Sequence, residues 1–152
     1  MATTRVSRHI SAARADVYRA LLDPKAVEKW MVPDGMVSHV HEFDARQGGT
    51  FRISLTYDAP TTAGKTTSQT DTFHGVFTKL IPETEVVQVV EFESEDPSMQ
   101  EAMTITYRLA EDGDGTILTG VHENLPPGLS PADNELGWNM SIGKLAELVE
   151  TA

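Results

Sequence analysis

The chain has 152 residues, with 23 acidic against 12 basic side chains for a formal net charge of −11, no cysteine and 39% hydrophobic residues. That length and apolar content fit one domain over residues 1–152, able to bury roughly two thirds of its unfolded surface around a core without disulfide or metal. The negative charge repels phosphate backbones and anionic bilayers, which argues against nucleic-acid partners, and the lack of cysteine excludes thiol nucleophiles, iron–sulfur clusters and thiolate zinc sites.

Residues 5–10 alternate as a short strand, and residues 11–22 switch to helical spacing with Val17, Ala20 and Leu21 on one face. Asp23 as N-cap and Pro24 in the first turn start a second short helix, whose buried face is Val27 and Trp30, and Pro33, Asp34 and Gly35 end it. From Met36 the period becomes two. One strand over 37–43 leads through a Gly48-Gly49 turn into residues 50–57, where Phe51, Ile53, Leu55 and Tyr57 share a face. Residues 58–70 carry Thr, Ala, Gly, Ser and Pro without apolar periodicity and are expected to form a mobile loop able to gate an opening.

Three further strands are expected over 72–80, 86–92 and 103–109, with Met103, Ile105, Tyr107 and Leu109 on one face of the last. A glycine-containing turn over 111–115 joins it to a strand over 116–124. After a Pro-rich breaker, Ser130 as N-cap and Pro131 open the longest helix, over 132–150, with Trp138, Ile142, Leu145, Leu148 and Val149 at three- and four-residue spacings. The order predicts an α+β fold of six to seven antiparallel strands. A sheet with one apolar face needs a cover, and only the last helix is long enough to supply it.

Residues 10–21, Asp23-Pro24 leading to Trp30, residues 43–46 with 48–53, Phe73 to Phe77 with Ile81-Pro82, Gly115-Thr116 and Gly137-Trp138 follow one another in an order and spacing spanning nearly the whole chain. This pattern resembles the Hsp90-ATPase-activator-homologue (AHSA1-like) family of the SRPBCC, or START/Bet v 1-like, superfamily. The departure is Tyr18, where many members carry Trp, a change between two large aromatics each with one polar atom. The resemblance implies a helix-grip fold: a curved antiparallel sheet wrapped around the long C-terminal helix, with an apolar cavity between them. It also implies hydrophobic small-molecule ligands such as lipids, sterols or polyketides, with some branches acting as cyclases or dehydratases. The eukaryotic co-chaperone joins such a domain to a second, chaperone-binding one, for which 152 residues leave no room, so an Hsp90 partner is not expected here.

The candidate cavity wall is Phe51, Ile53, Tyr57, Phe73, Phe77, Met103, Tyr107 and Trp138, with Trp30 and Met31 near a mouth; the same side chains equally suit a filled core. His122 shares its inward face with Leu118 and Gly120 and is the best candidate for a ligand anchor or general acid–base, against a purely structural histidine. His39 and His41 point to one face of a strand, but zinc needs further protein ligands, so no metal and no cofactor are expected. Arg46 is read as bracing the glycine turn through Asp44 rather than as catalytic, and Glu28, Glu91 and Glu123 as solvated acids. Asp112-x-Asp114 opens no calcium loop, because Ile117 stands where the glycine is required.

These residues and the family resemblance frame three expectations: a carrier of a hydrophobic or amphipathic small molecule, an enzyme of cyclase, dehydratase or hydrolase type using the same cavity, or an Hsp90-type co-chaperone or interaction module. No run approaches the ~18 apolar residues of a membrane span, and the N-terminus lacks a signal-peptide core, so the expected location is the cytoplasm. No surface pattern decides for or against a homodimer.

Overall fold

The computed structural model describes residues 2–32, 35–57, 70–94 and 96–150. The loop expected to gate an opening falls on residues 58–69 and lies outside the described residues, as does the Pro33-Asp34 turn. The elements run β1 (Ala2–Ile10), α1 (Arg14–Leu22), α2 (Pro24–Trp30), β2 (Met36–Phe43), β3 (Thr50–Tyr57), β4 (Thr70–Ile81), β5 (Glu85–Phe92), β6 (Met103–Asp112), β7 (Gly115–Leu125) and α3 (Pro131–Glu150). The α+β order matches the sequence reading, with seven strands. β1 starts earlier than expected and α1 later, and β4 reaches back to Thr70, which the periodicity had assigned to the loop.

All seven strands form one antiparallel sheet in the order β1-β7-β6-β5-β4-β3-β2. Register shifts bend it, between Val40 and Glu42 on β2 and between Phe77 and Lys79 on β4. Each inserts a residue into one strand, which raises the local twist and curls the sheet. Its concave face carries Val6, Ile10, Phe51, Ile53, Phe77, Val86, Tyr107 and Leu118, all buried.

α2 and α3 start where the sequence places their caps. The Asp23 carboxylate accepts from the Lys25 N–H at 3.1 Å, and the Ser130 hydroxyl accepts from the Asp133 N–H at 3.3 Å. α3 lies across the concave face, packed on β1 and on α2. The indole N–H of Trp30 donates to the Ala20 carbonyl at 2.9 Å, which locks α2 onto α1, and the Lys144 ammonium on α3 donates to the Val32 carbonyl at 2.7 Å, which ties in the chain leaving α2. Trp30 is wholly buried, so its one polar atom needs that partner.

The turn between β2 and β3 is built as expected, with Arg46 Nε 2.7 Å from an Asp44 carboxylate oxygen. Gly48 has a φ of +82°, and a Cβ on Gly49 would overlap the Asp44 carbonyl oxygen. The turn also docks on β4: the Gly48 N–H donates to the Phe77 carbonyl at 2.7 Å and the Phe77 N–H to the Gly49 carbonyl at 2.9 Å. Gly49→Ala must therefore displace the turn backbone at Asp44 and Arg46 and is expected to lose about 2–3 kcal/mol in urea unfolding. Arg46→Ala breaks only an exposed ion pair and should stay within about 0.5 kcal/mol of the parent in the same assay.

Candidate functional site

The buried face of α3 changes character along its length. Asn134, Gly137 and Ser141, from its N-terminal end to its middle, are polar or small, whereas Ile142 and Leu145 beyond them are branched and buried. The second half fills the sheet beneath it, together with rings that close that end: Phe51 and Phe77 have centroids 5.1 Å apart, and Phe43 and Phe77 5.4 Å. Under the first half the space is not filled. A cavity of about 130 Å³ remains there, walled by Met31, Leu55, Phe73, Val90, Phe92, Met103, Ile105 and Leu129, and by Gly137 and Trp138 of α3. Its polar groups are Asp71, Asp133, Asn134 and Ser141. Asp71 is 1% exposed and sits opposite Leu55 across the β3–β4 pair.

Of the side chains proposed from sequence, Met31, Phe73, Met103 and Trp138 come together on this wall. Phe51, Ile53, Phe77, Trp30 and Tyr107 are buried in the filled part of the core and do not line it. The Tyr57 side chain lies outside the described residues. The sequence reading missed Asp71, Asn134 and Ser141. Asp71 has the same strand parity as Phe73 and Phe77 and became visible only once β4 began two residues early, and Asn134, Trp138 and Ser141 share one helix face.

His122 stands one layer behind the cavity and is 1% exposed. The Asn134 amide nitrogen donates to the Thr4 hydroxyl at 2.8 Å and lies 3.0 Å from His122 Nδ1. That nitrogen is a donor, so Nδ1 accepts and the imidazole proton resides on Nε2. Desolvation lowers the His122 pKa from its ordinary 6.5 to about 4, opposed by the Asn134 hydrogen bond, so the ring is neutral near pH 7. Its indole neighbour Trp138 stands at 86° with centroids 4.5 Å apart. The Nε2 atom of His122 and the hydroxyl of Tyr107 are buried with no hydrogen-bond partner among the described residues. Burial raises the Tyr107 pKa well above its ordinary value, so the phenol keeps its proton.

The remaining candidates lie elsewhere. His39 and His41 pack edge to face at 4.5 Å, and His41 Nε2 is 2.8 Å from the Ser54 hydroxyl. Among the described residues no group of three His, Asp or Glu side chains is placed to hold a metal ion. Glu91 pairs with His74 at 3.2 Å, and Glu93 takes two hydrogen bonds from Arg52, at 2.8 and 2.9 Å. Those bonds from Arg52 are the main reason the Glu93 carboxyl sits at about 2. Glu28 and Glu123 are exposed.

Two outcomes follow from the buried pair. Because folding depresses the His122 pKa, its neutral form contributes stability that is present above pH 6.5 and is lost as the pH falls towards 4, by about 3 kcal/mol at that end. Urea unfolding at pH 7 and pH 4 measures this, and His122→Gln, which cannot titrate, should flatten that part of the profile. Tyr107→Phe removes a buried oxygen without a partner, so its thermal midpoint is expected to equal or exceed that of the parent, by up to about 1–2 kcal/mol of stability.

Comparison with known proteins accords with this architecture. No curated protein matches the chain. Among solved structures, protein CV1439 from Chromobacterium violaceum is 35% identical, with a TM-score of 0.88 over 97% of this chain and 96% of that one. The AHSA1-like protein from Aeromonas hydrophila is 19% identical, with a TM-score of 0.73 over 99% and 93%. Protein NE0264 from Nitrosomonas europaea is 22% identical, with a TM-score of 0.75 over 98% and 94%. The last two likenesses speak for the fold. The family described as Activator of Hsp90 ATPase homolog 1-like protein matches residues 11–150, and the chain belongs to that family.

Proposed function

We propose that this protein binds a hydrophobic or amphipathic small molecule in the cavity between its curved sheet and α3. The observation that carries the reading is the wall itself: apolar side chains from β3, β4, β5 and β6 face a few convergent polar groups, Asp71, Asn134 and Ser141. Ligand sites have this composition, with apolar contact supplying affinity and few polar atoms setting orientation. Each square ångström of apolar surface removed from water contributes about 25 cal/mol before ordering costs.

The volume narrows the ligand. About 130 Å³ falls below the ~300 Å³ at which pockets for drug-sized ligands begin, so the cavity in this state accepts one or two fused rings or a short acyl segment. Among the described residues no carboxylate is hydrogen-bonded to His122, whose partner is Asn134, so these residues assemble no acid–base pair of the kind a cyclase or dehydratase uses around it. Binding without chemistry is therefore the function we propose.

N-phenyl-1-naphthylamine, a neutral fluorophore that brightens in apolar sites, tests the assignment. Trp138→Ala opens the wall and is expected to tighten its binding roughly tenfold, whereas Gly137→Leu fills the cavity and should abolish it. Equal fluorescence titrations for the parent and both variants would show that the dye, if it binds, binds elsewhere.

A further inference from the structure

The cavity stops at the indole of Trp138, and two of the three buried side-chain polar atoms without a partner among the described residues lie in rings packed on that indole; the third, Ser38 Oγ, is on β2. The Tyr107 ring is 6.0 Å from it and the His122 ring 4.5 Å, centroid to centroid. Neither ring lines the cavity, but Trp138 does, and so does Asn134, which holds His122. Strand register puts the two side by side on the concave face: Tyr107 is opposite Gly120 and Ile105 is opposite His122, two residues along. Gly120 has no side chain, and the Val6 side chain and the Tyr107 ring close over it, at 3.3 and 4.0 Å from where a Cβ would stand.

Leaving two buried hydrogen-bonding groups unpaired is unfavourable, and such groups in a native core call for an explanation. A second oddity sits beside them. Trp138 is only half-buried, in a cluster whose other rings, Trp30, Tyr107 and His122, are at most 1% exposed. Its neighbours on the same helix face, Gly137 and Ser141, are small. The indole is thus the large side chain that both borders the cavity and covers the Tyr107 and His122 rings.

The geometry points to Trp138 as a swinging divider between the open cavity and an inner chamber that ends in the Tyr107 hydroxyl and His122 Nε2–H, a site for the carbonyl oxygen of an apolar ketone or aldehyde. This rests on the cavity-binding reading above and adds the ligand's polar end to it. Both groups are donors: the phenol keeps its proton, and Asn134, held by Thr4, obliges His122 to carry its proton on Nε2. A carbonyl oxygen has two lone pairs and accepts from both, whereas a carboxylate would bring a charge into a site with no cation among its described contacts. Rotation of the indole adds the room that the present volume lacks.

A matched pair of probes tests the assignment: 2-acetylnaphthalene, and 2-isopropenylnaphthalene, in which a CH2 group replaces the carbonyl oxygen. The parent is expected to bind the ketone roughly tenfold more tightly than the alkene, and Tyr107→Phe to cut that preference roughly fivefold while leaving alkene binding unchanged. The infrared stretch of the bound carbonyl, lowered in the parent by two hydrogen bonds, should move back up in Tyr107→Phe and in His122→Leu. Trp138→Ala should tighten both probes and keep the preference. Equal affinity for the two probes in the parent, or an unshifted carbonyl stretch, overturns the donor pair and leaves cavity binding standing. If neither probe binds the parent or Trp138→Ala, the cavity reading falls with it.

Discussion

A bent seven-stranded sheet exposes an apolar concave face, and one helix has to cover all of it. Everything else in the molecule answers to that constraint. The bulges in β2 and β4 supply the bend, the Gly48-Gly49 turn lets β2 and β3 close against β4, and Trp30 fastens α2 to α1 through a single buried hydrogen bond. Because α3 packs on β1 and α2, its cover is uneven. Where the helix carries Ile142 and Leu145 the core is filled, and where it carries Asn134, Gly137 and Ser141 a cavity remains. Packing at interior density makes such a gap costly unless something occupies it for part of the time.

The electrostatics divide along the same sheet. The charged network of Arg52, His74, Glu91 and Glu93 lies on the solvated side, where Coulomb attraction is screened and contributes little to stability. The concave side holds few polar atoms, and each matters more in its low dielectric. Asn134 is the hinge of this arrangement. It lines the cavity with one side and with its amide orders Thr4 and the His122 ring, so the protonation site of a buried histidine is set by a residue that a ligand would touch.

Much of the fold was legible in the sequence because its signals are local. The period-two runs, the Asp23-Pro24 and Ser130-Pro131 helix starts and the glycine turns are decided by backbone conformation and by near neighbours. The early start of β4 was not legible: Asp71 has weak strand preference and Thr70 ends a run without apolar periodicity, and both are strand because β3 pairs with them. The same error hid Asp71 from the candidate site. For the cavity wall the sequence reading chose large inward side chains, and inward direction is all that strand parity supplies. It could not separate Phe73 and Met103, which face the gap, from Phe51, Phe77 and Tyr107, which fill the core.

The amino-acid sequence by itself therefore determined the order of elements, the inward face of each strand, the helix that must cover the sheet, and the family pattern that runs from residue 11 to residue 150. Only the tertiary structure decided where along that cover a space is left, which side chains border it, and that His122 meets Asn134 and Trp138 rather than a carboxylate. The physical reason is that parity and periodicity are properties of a single element, whereas a cavity is a mismatch in volume between two. That mismatch exists only once α3 has taken its position over the bent sheet.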